Sequence, residues 1–122
     1  GMNSKWEELN QSFEDQKEKH AGWRQHWLDL QGKASTAYDA AIAAYKQASQ
    51  KYSEITQGLN FSELEGSQRE EAKQYRADMS TAGTQKRRAV SDSIFYGRLA
   101  VDETYCMQDY TNLQSLASHM QG

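Results

Sequence analysis

The sequence predicts an all-α protein, an antiparallel helical bundle of four helices or of three long helices in a coiled-coil-like assembly. Three observations predict it. The 122 residues contain no proline, so nothing in the chain is chemically barred from a helix interior. Valine and isoleucine, the β-branched apolar residues that strands favour, number two and three. Fourteen alanines and a set of seven Tyr, three Trp and three Phe replace them, and they recur at helical spacing. Large aliphatic residues are few, but the formal charge is only −3, so the scarcity does not signal disorder. The length suits a single helical domain spanning residues 1–122.

The first helix is expected from Ser4, where Ser4-Lys5-Trp6-Glu7 has the Ser-x-x-Glu spacing of a capping box. Its stripe is Trp6, Leu9, Phe13, Trp23, Trp27 and Leu30, with the polar Gln16 and His20 at its middle. Gly32 offers a left-handed stop near Gln31, although a helix can pass through a glycine at a cost of about 1 kcal/mol relative to alanine. The second helix is expected over 33–57. Tyr38, Tyr45, Tyr52 and Leu59 stand seven apart, with Ala41, Ala48 and Ile55 three residues after the tyrosines, and small alanines between tyrosines let a partner helix approach closely. Gly58 ends it.

Ser62-Glu63-Leu64-Glu65 repeats the capping-box spacing and starts a third helix, with Glu65 and Arg69 as an i,i+4 pair. Ala72, Tyr75, Met79, Ala82 and Ala89 form its stripe. Phe95, Leu99, Cys106, Tyr110, Leu113, Ala117 and Met120 form another in a different phase, which predicts a break between about residues 88 and 102, at Gly97 or an Asp102 N-cap. Without that break, a helix over residues 62–119 would span about 87 Å at 1.5 Å per residue, which calls for a partner copy.

Catalytic signatures are missing. No Glu has a His three residues later, as carboxylate-bridged di-iron bundles require, and His20 and His26 fall on different helix faces. A single cysteine and no i,i+4 histidine pair give no zinc pattern, and there is no glycine-rich phosphate loop or nucleophile elbow. No catalytic residue, cofactor or metal ligand is therefore assigned. Cys106 lies between Asp102 and Asp109 on its helix, where negative charge disfavours the thiolate and structural burial is the expectation.

Two surfaces are candidates. His20, Trp23 and Trp27 share a face that could take a flat or cationic ligand between helices, or face a partner. Lys86, Arg87 and Arg88 form the one basic run, a possible contact for an anion or an acidic partner on a chain of pI about 5.6. A pI this low and the lack of a recognition helix argue against nucleic-acid binding. No apolar run is long enough for a membrane span or a secretory signal, Gly1 before Met2 reads as a cloning scar, and the solitary Cys106 suits a reducing compartment, so the expected location is cytoplasmic.

Tyr105-Cys106-Met107-Gln108-Asp109 resembles the Tyr-x-x-x-Asp/Glu export signal of small helical-hairpin proteins secreted by type VII systems. That family's Trp-x-Gly turn has no counterpart, because Glu8, Gln25 and Asp29 stand two residues after the three tryptophans. Seven tyrosines and 17 acidic residues in 122 positions also yield about one such spacing by chance. The resemblance implies export without a cleaved signal. The main functional expectation is instead a non-enzymatic protein–protein interaction module of adaptor, chaperone or inhibitor type that self-associates as a homo-oligomer. A small-molecule binder or enzyme using the His20, Trp23 and Trp27 pocket is the alternative from another class.

Overall fold

The computed structural model describes residues 2–121, with side chains from Ser4. It contains two long helices, α1 over Met2–Thr56 and α2 over Gly66–Gln121, joined through a short 3-10 turn at Phe61–Glu63. No strand occurs among the described residues. The chain is therefore all-α, but the expected four helices, or three, are two. Neither helix is long and apolar enough to cross a membrane.

The reason is register. Trp6, Phe13, His20, Trp27, Ala34, Ala41, Ala48 and Ile55 follow one another at seven-residue steps along α1, and every one is half-buried or buried. Gln68, Tyr75, Ala82, Ala89, Tyr96, Glu103, Tyr110 and Ala117 do the same along α2. A seven-residue repeat keeps one seam facing a partner helix only while the helix is unbroken. At Gly32 the local preference for a stop thus opposes a register that runs from Trp6 to Ile55, and the register wins. The Ser4 capping box falls inside α1, which starts before it.

The expected break near Gly97 fails for a related reason. Of the residues that reading places on a buried stripe, Leu99, Cys106, Tyr110 and Ala117 are half-buried, but Phe95, Leu113 and Met120 are 56%, 45% and 77% exposed, and the seam also takes in Tyr96, Ala100, Glu103 and Met107. A Cβ on Gly97 would lie 2.6 Å from Gln31 Nε2, the far end of a flexible side chain that would have to shift to make room. Asp102 is an exposed mid-helix residue and caps nothing.

Between the helices the chain turns through two left-handed residues, Gln57 (φ 49°) and Gly58 (φ 81°), in agreement with the expected stop at Gly58. The amide of Leu59 donates to the Thr56 carbonyl at 2.9 Å. Helix α2 begins at Gly66 rather than Ser62, because Leu64 is extended and buried to 2% exposure, and a helix through it would withdraw that plug. Arg69 turns away from its expected pairing with Glu65. Its guanidinium lies 4.7 Å from the Phe61 ring centroid and donates to the Leu64 carbonyl, and Arg76 covers the same ring at 4.4 Å.

The chain divides into two compact units, each an antiparallel pair of helix segments. Unit 2, Gly32–Ser93, holds the interhelical turn. Its buried apolar residues are Ala34, Ala41, Ala48, Leu64, Ala72, Ala82 and Ala89, a close-packed alanine seam closed at one end by leucine. Unit 1, Gly1–Gln31 with Ile94–Gly122, has Ala100 as its one buried apolar residue among those described. Aromatic and polar side chains fill the rest of its seam.

Candidate functional site

Unit 1 carries the chemistry-bearing residues, arranged in layers along the α1–α2 seam. Each layer exists because the seven-residue repeat delivers one residue from each helix to the same level. Near the N-terminus of α1, Gln114 donates through Nε2 to Asn10 Oδ1 at 2.9 Å and to Glu14 Oε1 at 2.8 Å. Lys17 donates to Gln114 Oε1 at 2.9 Å and pairs with Glu14 at 3.0 Å. The bond from Gln114, and then the Lys17 ammonium, hold the Glu14 carboxyl below the usual carboxylate range. Polar residues at seam positions fix register and orientation at some cost in stability, and this clasp is such a device.

Phe13 and Tyr110 meet in the next layer with ring centroids 5.9 Å apart. Above them the seam becomes a cluster built on His20. Its Nδ1–H donates to Glu103 Oε2, its ring meets Trp23 edge-on at 5.0 Å, and the Tyr110 ring lies 5.8 Å away. The His20 and Glu103 side chains are 16% and 17% exposed, so both are largely removed from water. Cys106, half-buried and one helical turn on from Glu103, completes the group. A ring nitrogen, a carboxylate oxygen and the thiol sulfur all lie within 4.8 Å of one another. Further along, Arg24 donates to Thr104 at 3.0 Å, and Trp27 stacks on Tyr96 at 6.2 Å and 11°. The buried Trp27 Nε1 has no hydrogen-bond partner.

The expected face of His20, Trp23 and Trp27 is thus divided. His20 and Trp23 stay in contact, with Trp23 half exposed at the edge of the seam, while Trp27 pairs with Tyr96 and with His26 at 4.9 Å. The carboxylate beside Cys106 is Glu103. Asp102 and Asp109, the expected neighbours, are both exposed. Lys86, Arg87 and Arg88 lie on the exposed surface of unit 2, where Arg87 donates to Thr84 Oγ1 at 3.2 Å. Tyr105 and Asp109 are both exposed, one turn apart on α2.

Glu103 is the residue that sequence reasoning missed. Its one signal is its place midway between Tyr96 and Tyr110 at seven-residue steps, which marks a carboxylate between two aromatic seam residues. Its pairing with His20 joins residues 83 positions apart, which no local motif encodes. Compared with known proteins, the chain matches no family model, no curated protein and no solved structure.

Proposed function

We propose that the chain is a non-enzymatic helical interaction module, of adaptor, chaperone or inhibitor type, that associates with further copies of itself. One observation carries this reading: among the described residues the buried apolar ones are seven alanines and one leucine, while thirteen large apolar residues are exposed. A buried methyl contributes about 0.8 kcal/mol, against about 1.5–3 kcal/mol for a large apolar side chain, so the exposed set leaves apolar stabilisation unused in a single copy. Part of the exposed set is ordered. Ile94 and Val101 stand seven apart, each two residues before a seam residue, which turns them about 200° around α2 from the seam. Tyr105 follows Val101 by one turn. These residues are 51%, 50% and 66% exposed and give α2 a second apolar face suited to another helix.

If folding is linked to association, stability depends on protein concentration. Thermal unfolding across a hundredfold range of concentration is expected to show the melting temperature rising with concentration. A melting temperature independent of concentration contradicts the proposal.

A second reading, export without a cleaved signal, draws support from the exposure of Tyr105 and Asp109 on one helix face, where a recognition factor can reach both. Tyr105→Ala with Asp109→Ala is expected to abolish export from the native host while leaving the helical circular dichroism intact. Undiminished export of the double variant rejects it. Point substitutions are required because deleting 105–109 would shift the α2 register.

A further inference from the structure

We infer that His20, Glu103 and Cys106 form a binding site for one divalent transition-metal ion of borderline softness, with zinc the expected occupant. The inference stands apart from self-association, since it concerns the seam inside one chain. The three side chains offer one nitrogen, one oxygen and one sulfur ligand, with the ligating atoms within 4.8 Å of one another. Zinc bonds of about 2.0–2.3 Å in a tetrahedron place ligand atoms about 3.3–3.8 Å apart, so rotamer adjustments of about 1 Å, which part the hydrogen-bonded His20 and Glu103 and bring in the thiol, fit the set to the ion. Glu103 and Cys106 are three apart on α2 and share a face, and His20 comes from α1, so the ion would bridge both helices of unit 1.

The mixed donor set selects the metal. Thiolate and imidazole favour zinc or cobalt over magnesium or calcium, and three protein ligands leave a fourth position for water. Binding requires two proton movements. The Cys106 thiol loses its proton to solvent, and its sulfur lone pair forms the metal bond. Glu103 gives up its hydrogen bond to His20, whose Nδ1 proton passes to solvent while Nε2 takes one up. The neutral Nδ1 lone pair is then free for the metal, and the ion replaces the broken bond with bonds to both partners. The same residues otherwise place a carboxylate and an imidazole on a coiled-coil seam, where polar side chains lower stability.

Cobalt(II) titration of the full chain under reducing conditions, in a buffer that does not chelate, tests the inference. The expected result is a near-ultraviolet thiolate-to-cobalt charge-transfer band saturating at one ion per chain, bleached by added zinc. Cys106→Ser is expected to remove the band, and Glu103→Gln and His20→Asn each to weaken binding by at least about tenfold, with helical circular dichroism retained. If a variant loses its helical signal, zinc-dependent elevation of the wild-type melting temperature takes its place as the readout. The inference is overturned by absence of the band at tenfold excess cobalt, by saturation at one ion per two chains, by unchanged affinity in folded Glu103→Gln or His20→Asn, or by a melting temperature that zinc leaves unmoved.

Discussion

Leu64 and Glu14 show how single side chains act on this scaffold. Among the described residues Leu64 is the one large side chain buried to 2% exposure, in a turn whose other apolar residues are the half-buried Phe61 and Leu59 at 47% exposure. Leu64→Ala is expected to destabilise by about 2–5 kcal/mol, visible as a lower urea midpoint with an unchanged slope. Glu14 acts through charge. Its carboxyl is held below the usual range by Gln114 and Lys17, so its contribution to stability is present at neutral pH and is lost as pH falls through that lowered value. Melting temperature against pH is expected to fall more steeply for the wild type than for Glu14→Gln below the ordinary carboxylate range, and parallel curves would contradict this. The candidate site was only half legible at this scale. His20 stood out as a polar residue on an aromatic stripe. Glu103 did not, because its meaning comes from a partner on the other helix.

Within each helix, local preference and register compete, and the glycines record the outcome. Alanine is a better helix former than glycine by about 1 kcal/mol, and a Cβ on Gly32 would meet nothing within 4 Å. Gly32→Ala is therefore expected to raise the melting temperature by a few degrees. Gly97→Ala has the same intrinsic gain, but its Cβ would fall 2.6 Å from Gln31 Nε2 and displace that amide. Its increase is expected to be smaller than that of Gly32→Ala, and equal increases would show that the close approach carries no weight. The alanine repeat of Ala41 and Ala48 was legible in the sequence because seven-residue spacing survives without knowledge of the partner. Tyr45, read on the same seam, is 49% exposed, since it belongs to the column beside the alanines. Helix number was not legible. Gly32 and the change of phase after Ala89 are local signals, and the interactions that overrule them come from the opposite helix.

For the whole molecule, two uninterrupted helices place alanine where most helical proteins place leucine. The alanine seam of unit 2 permits close backbone approach but buries little apolar area, and unit 1 fills its seam with rings, amides and the His20 and Glu103 pair. The large apolar residues left outside include Ile94 and Val101, which repeat the seven-residue spacing on the face of α2 turned from the seam. The sequence already carried the reason to expect a partner, in the shortage of large aliphatic residues for a chain of this length. The face that would meet the partner could be read only after Tyr96 and Glu103 were placed on the seam. Sedimentation velocity at low micromolar concentration, on the wild type and on Ile94→Glu with Val101→Glu, tests this most directly. The account predicts a dimer or higher oligomer for the wild type and a shift to monomer for the double variant, and a stable wild-type monomer, or a variant that assembles equally well, would contradict it.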